Sequence, residues 1–280
     1  MRSSSFFFGK FLFLGLGVLG LGFFNSIVSA EKKFDHYHDS LLGPKVGLET
    51  QWFGEQEVPE SLSILILAGH ADSQGMAGAG TAGEAVDLKG KMPIDPSMSD
   101  ELFWNLKLRD SIVHLGRERG LNIHSYDPGS RNILDGNHPD TNWSVGARHV
   151  RQGGYAIEIH FDAYGEYGFG SGLIPAISRK LNTVDESLAK SFGRYPIFFR
   201  GGLGAPRRGI RVLEIGKLEG KLEQSLRDLN SREKVVQDIA LRVVQAIIFG
   251  IDKKKTFNPP LDVQGISQQA FHHSTNLAVW

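Results

Sequence analysis

Ile64-Leu65-Ile66-Leu67-Ala68-Gly69-His70 is the stretch on which the reading of this chain turns. It is an unbroken apolar run, too short for a core helix, and it ends in a glycine and a histidine. Such a run predicts a strand buried on both faces, as in a parallel sheet. Downstream, residues 75–83 are rich in glycine and residues 89–99 carry Pro93 and Pro96, which together predict a long loop. Loops of that length inside a compact domain are usually functional. Ser99-Asp100-Glu101 then predicts a helix start. Leu102, Leu106, Ile112, Val113 and Leu115 form its mainly apolar side, and Gly116 and Gly120 lie towards its end.

The same alternation continues along the chain. Residues 121–126 predict a second strand, closed by Asp127-Pro128-Gly129. Residues 142–150 predict a short helix, 155–161 a third strand, 171–177 a further strand and 184–192 another helix. Residues 209–216 predict a strong strand. Residues 233–249 predict an amphipathic closing helix carrying Val236, Ile239, Ala240, Val243 and Ile247. The expected fold class is α/β, a three-layer sandwich with a largely parallel sheet flanked by helices.

The ends of the chain read differently. Arg2 and Lys10 precede an apolar stretch over residues 11–24, followed by Val28-Ser29-Ala30 with small residues at the −3 and −1 positions. This is the pattern of a secretory signal peptide over residues 1–30, with no stable membrane span expected after its removal. Residues 31–60 are aperiodic and read as a linker or an edge extension. Residues 61–252 read as the single folded α/β domain. Residues 253–280, with Pro259-Pro260, read as a mobile tail.

Composition narrows the chemistry. The 280 residues carry 31 basic and 31 acidic side chains, so no bulk field recruits nucleic acid. With no cysteine, thiolate catalysis, disulfides and Cys-type zinc sites are excluded, and any metal site must use His, Asp and Glu.

In an open parallel sheet, ligands bind beyond the carboxyl ends of the strands. His70 follows the first strand directly. In the third strand Ile157, Ile159 and Phe161 point one way, and Ala156, Glu158 and His160 the other. In the last strand Ile210, Val212 and Glu214 share a face. A carboxylate inside an apolar strand is costly unless a metal or a cation relieves it. Two histidines with one carboxylate and an open position are the makings of a catalytic zinc site. The His-Glu-x-x-His helix motif is absent, so the ligands must be dispersed.

These residues carry a family resemblance. The stretch ending in Gly69-His70 resembles the first strand and histidine ligand of the type 3 zinc amidases, the N-acetylmuramoyl-L-alanine amidase family. Glu158-Ile159-His160-Phe161-Asp162-Ala163 resembles that family's Ser-Ile-His-x-Asn-Ala strand, which holds its second histidine ligand. Val212-Leu213-Glu214-Ile215-Gly216 resembles its Val-Glu-Leu-Gly segment, whose glutamate is catalytic. Arg148, twelve residues before His160, is similar to the arginine of the helix leading into that strand. The resemblance covers roughly residues 62–250.

What the resemblance implies is a Zn2+ enzyme of the periplasm or cell envelope. It would hydrolyse the amide between N-acetylmuramic acid and L-alanine in peptidoglycan or a muropeptide. His70 and His160 would hold zinc and Glu214 would be catalytic. The carboxylate ligand has two candidates. Glu84 lies at the family's distance after His70, whereas Glu101-Leu102-Phe103-Trp104-Asn105-Leu106 resembles the family's Glu-x-x-x-Asn-Leu helix start. Glu101 is favoured, because a helix start is a stiffer mount than a glycine loop.

Where the family has Pro-Gly-His-Gly-Gly, this chain has Ala68-Gly69-His70-Ala71-Asp72, and Asp162 replaces an asparagine. Asp72 and Asp162 are expected as partners of the ligand imidazoles. They also motivate an alternative, a carboxypeptidase-like zinc amidohydrolase acting on a small peptide or acylated amino acid. A non-enzymatic wall-binding protein is a third reading. The run Arg200-Gly201-Gly202-Leu203-Gly204-Ala205-Pro206-Arg207-Arg208 could cradle a substrate carboxylate, with Arg207 and Arg208 as the substrate-binding candidates. Trp104 and Trp143 are candidates for stacking on sugar or for core packing.

Overall fold

The alternation of two neighbouring parallel strands decides the layers. The computed structural model describes residues 37–47, 52–177 and 179–252. Within these, β3 (Ile64–Ala68) and β5 (Tyr155–Asp162) pair in parallel, and every residue of β3 is buried. Ile64, Ile66, Ile157, Ile159 and Phe161 enter one core, while Leu65, Leu67 and Ala156 enter a second core on the opposite face. A strand buried on both faces needs no polar alternation, which explains the continuous apolar run.

The main sheet has the order β4-β3-β5-β7-β6. Here β4 is Ile123–Ser125, β6 is Gly172–Ile174 and β7 is Arg211–Lys217. The strands β4, β3, β5 and β7 are parallel, and β6 runs antiparallel along the β7 edge. On one face lie α2 (Asp100–Glu118), α4 (Thr183–Phe192) and α7 (Arg232–Ile251), which supply Leu108, Ile112, Leu188, Phe192, Ile239 and Val243 to the larger core. On the other lie α3 (Asn142–Arg151) and the short α5 (Gly204–Arg207), with Val150 and Ala205 in the smaller core. The three-layer α/β sandwich expected from the sequence is therefore present.

Several short elements lie outside the expected set, α5 among them. Residues Glu84–Asp87 form a single helical turn, α1, inside the predicted long loop. Residues Gly220–Arg227 form α6, directly after β7. A small antiparallel hairpin, β1 (Tyr37–Asp39) with β2 (Gly43–Lys45), packs beside the β6–β7 edge. Leu42 and Val46 are buried there, and Trp52 is buried under the Arg194 guanidinium, which stacks 4.2 Å from its ring centre. The described part of residues 31–60 thus contributes to the core. The predicted signal segment and the predicted tail lie outside the described residues. Among the described residues, no helix is long and apolar enough to cross a membrane.

Helix ends are fixed by side chains. Ser99 Oγ accepts a hydrogen bond from Leu102 N and caps α2, as its Ser-Asp-Glu start predicted. Asn182 and Asp185 form a reciprocal capping box at α4. Asp185 also pairs with Arg211, at 2.8 Å from Nε and 3.1 Å from Nη2, and accepts from Tyr155 Oη at 2.9 Å. This buried cluster ties α4 to the beginnings of β5 and β7. Removing one member of a buried ion pair strands the other charge. Asp185→Ala is therefore expected to lower unfolding free energy by about 3–5 kcal/mol. The double variant with Arg211→Met should recover a large part of that loss, as read from urea denaturation midpoints.

Candidate metal centre

His70, Glu101 and His160 come from three separate elements and meet at the carboxyl end of the sheet. His70 sits in the turn after β3, Glu101 in the first turn of α2 and His160 near the end of β5. One donor atom from each lies within 4.8 Å of the others. Glu101 Oε1 is shared, 3.1 Å from His160 Nδ1 and 3.4 Å from His70 Nε2. The two rings stand edge to face with centres 4.7 Å apart.

Local chemistry produces this meeting. The β3–β5 ladder continues past the strand, because Gly69 N donates to Ile159 O. A Cβ on Gly69 would lie 2.4 Å from the His160 ring, so only glycine lets the imidazole pass beneath the β3 terminus. His70 then turns the chain with φ of 63°, an uncommon left-handed geometry for a residue with a side chain. Asn105 Nδ2 holds Gly69 O at 3.2 Å, and Asn142 Nδ2 holds Ala68 O at 2.6 Å. Glu101 Oε2 accepts from Thr81 N at 2.7 Å, so the glycine-rich loop serves to clamp the second carboxylate oxygen.

Glu84 is engaged elsewhere. Its Oε2 accepts from Lys89 Nζ at 2.7 Å and from Gly220 N at 3.2 Å, and it does not join the two histidines. Of the two candidate carboxylates, the fold brings Glu101 to the imidazoles.

Glu214 projects from β7 beside His160, its register partner across β5–β7. Its Oε2 is buried and makes no hydrogen bond. Burial and the neighbouring Asp162 charge push its carboxyl up to about 8, against the pull of His160 and Arg200. Burial likewise resists ionisation of Glu101, but His70 and His160 outweigh it and hold the carboxyl well below the usual range. Burial resists charge on His160, yet its hydrogen bond to Glu101 and the nearby Glu158 carboxylate raise the imidazole well above its usual range. Such opposed shifts in one cleft are a mark of functional sites.

All four residues line one cavity of about 510 Å³. Asp72, Glu158, Asp162, Trp143 and Arg200 line it too. The donor set fits a metal: two imidazole nitrogens and a carboxylate oxygen suit zinc, and an unpartnered carboxylate faces the same space.

The remaining expected residues fall into place differently. Asp72 Oδ2 accepts from Asn142 N at 2.7 Å, at the start of α3. Asp162 accepts from the backbone of Ala163, Phe169 and Gly170 and from Tyr195 Oη, so its hydrogen bonds secure the following loop and leave the imidazoles alone. The imidazole partner is Glu158, whose Oε2 lies 3.7 Å from His160 Nε2 while its Oε1 accepts from Asn142 at 3.2 Å. The outward alternation of Glu158 with His160 was the signal available for it in the sequence. Arg148 donates to Pro139 O away from the cavity. Arg207 and Arg208, expected at the substrate, do not line the cavity either. Arg207 donates to Gly201 O, and Arg208 stacks 4.7 Å from the Trp143 ring centre and donates to Asn137. Arg200 is the arginine that lines the cavity. Trp104 is buried in the core.

No family model matches the chain, and no curated protein matches it. Solved structures of similar fold do. One is the catalytic domain of an endolysin targeting Clostridia difficile, 18% identical over 70% of this chain and 99% of that one, with a TM-score of 0.44. A second is the apo form of an N-acetylmuramyl-L-alanine amidase from Mycobacterium abscessus, 15% identical over 68% of this chain and 99% of that one, at a TM-score of 0.45. A third is the catalytic domain of an N-acetylmuramoyl-L-alanine amidase from Bacillus (Paenibacillus) polymyxa var. colistinus, 16% identical over 69% and 98%, at 0.43.

The two glutamates make a direct test. Loss of a charged ligand should exceed the roughly 10–100-fold cost typical of residues behind the ligands. Glu101→Gln is therefore expected to weaken zinc binding by more than about 100-fold, and Glu84→Gln to leave it unchanged. Zinc titration of both purified variants against the same chelator checks this.

Proposed function

We propose that the chain is a zinc-dependent hydrolase of the cell envelope, cleaving the amide that joins the lactyl group of N-acetylmuramic acid to L-alanine in peptidoglycan. The observation that carries the reading is the convergence of His70, Glu101 and His160 with the unpartnered Glu214 carboxylate on one cavity. The choice of substrate rests on the ordered motif resemblance around His70, His160 and Glu214. The expected place of action rests on the secretory pattern of residues 1–30.

His70, Glu101 and His160 would hold zinc, which when bound polarises an amide carbonyl and lowers the pKa of a coordinated water towards ~7. The His160 ring lies with Nδ1 directed at Glu101 and Nε2 towards the Glu158 carboxylate, 3.7 Å away. Glu214 carries the proton. Its free Oε2 takes one from the attacking water and returns it to the departing amine nitrogen. A buried carboxyl with a raised proton affinity is suited to both halves of that exchange. Ile133 and Leu203 give the cavity part of its apolar wall.

The departures from the family pattern at Asp72 and Asp162 motivate a second reading on the same site, a carboxypeptidase-like amidohydrolase for small peptides or acylated amino acids. Digestion of defined muropeptides and a panel of N-acyl amino acids, read by mass spectrometry, separates the two. The peptidoglycan reading predicts release of intact stem peptide from the muramic acid. Turnover of the acyl amino acids alone would replace it with the second. Glu214→Gln should bind zinc in full while losing about 10²–10⁴-fold in kcat. Full activity in that variant would contradict the assigned role.

A further inference from the structure

Two residues other than glycine adopt a left-handed backbone among the described residues, His70 at φ of 63° and Arg200 at φ of 46°. Both line the same cavity. Holding a side-chain-bearing residue in that region costs of order 1–3 kcal/mol and tends to persist where function needs the side chain. Gly201 and Gly202 follow with φ of 71° and 76°. A glycine at position 200 would complete the turn without strain, yet the chain places an arginine there.

The guanidinium is held in place but not neutralised. It stacks 5.0 Å from the Phe199 ring centre and 5.4 Å from that of Phe169, and Nη2 donates to Tyr167 O at 2.8 Å. No carboxylate of the described residues forms an ion pair with it. Arg207 and Arg208 also donate to neighbouring carbonyls and Asn137, but neither lines the cavity. Among the described residues, five acidic ones line the cavity, Asp72, Glu101, Glu158, Asp162 and Glu214, and Arg200 is the one Lys or Arg. An anionic ligand is repelled from most of that wall. Apart from a metal at the three ligands, Arg200 is where the cavity can accept negative charge.

We propose that Arg200 is a substrate-binding residue that reads a free carboxylate flanking the scissile amide, so that the enzyme takes acyl-peptides bearing that carboxylate in preference to their carboxamides. This rests on the amidase reading for the identity of the scissile bond. It does not rest on it for the recognition itself. Guanidinium suits a carboxylate because its planar fork can donate two parallel hydrogen bonds. The two phenylalanine rings preset its orientation, so less side-chain freedom is lost on binding.

The test uses the zinc-loaded full chain and two probes, N-acetylmuramoyl-L-alanyl-D-glutamate and its counterpart with both carboxylates converted to carboxamides. Wild type is expected to favour the acid in kcat/KM by about 10–100-fold, the worth of one charge-assisted pair. In Arg200→Gln that ratio should fall towards one, chiefly through a higher KM for the acid, with zinc content unchanged. Arg200→Gly should lose the same preference while melting at or above the wild-type temperature, because the strained backbone is relieved. Equal losses on both probes, or an undiminished preference, would overturn the proposal. Calorimetric binding of the same probes separates it from the amidase reading. If neither is hydrolysed but wild type binds the acid more tightly and Arg200→Gln does not, the carboxylate site stands and the bond assignment falls. If binding shows no such preference, the carboxylate site falls.

Discussion

The Glu101 carboxylate, buried between two imidazoles, is the constraint around which the rest of the site is arranged. Its side chain is only 4% exposed, and burying a charge that far is tolerated only when it is paired and hydrogen-bonded. Oε1 faces His160 and His70, and Oε2 takes the Thr81 amide. Meeting those requirements fixes where the β3 terminus, the β5 terminus, the α2 start and the glycine-rich loop must lie. Gly69 allows the approach, Asn105 and Asn142 hold the strand end, and Ser99 caps the helix that presents the carboxylate. Side chains held just past strand ends and on a capped helix turn are stiff enough to hold a metal.

The same wall is electrostatically expensive. Five acidic residues among those described share the cavity, and burial with the neighbouring Asp162 charge pushes the Glu214 carboxyl up to about 8. Nothing in the fold requires a carboxylate in the middle of the apolar β7. A glutamate kept at the expense of stability, with one oxygen free, is what a proton carrier needs. A cation held by His70, Glu101 and His160 would favour its ionised form. The charge pattern and the proposed metal chemistry are therefore mutually consistent.

Much of this was legible in the sequence, for physical reasons that differ by element. The apolar run before His70 and the alternation around His160 and Glu214 located three strand ends, because burial on one face or two writes itself into side-chain polarity. Glu101 was preferred to Glu84 on the stiffness of a helix start, and the fold unites Glu101 with the histidines. Short elements escaped: the α1 turn and the β1–β2 hairpin have too few residues for a period to show, while α6 was missed although Leu222 and Leu226 stand one turn apart on its buried side. Pairwise roles escaped as well. Asp162 was expected at the imidazoles, but its carboxylate is consumed by the amides of Phe169 and Gly170, and Glu158 holds the place instead. Within the basic glycine loop, the arginine at the cavity is decided by a left-handed turn at Arg200, which composition does not reveal.

The central claim is that one metal ion is held by His70, Glu101 and His160. Zinc-edge X-ray absorption of protein loaded with one equivalent of zinc tests it most directly. The account predicts a low-coordinate shell of nitrogen and oxygen at roughly 2.0–2.1 Å, with the outer-shell signature of two imidazoles. Substitution of either histidine should reduce that signature to one. A shell without imidazole scattering, or an unchanged two-imidazole spectrum in both His70→Ala and His160→Ala, would contradict it.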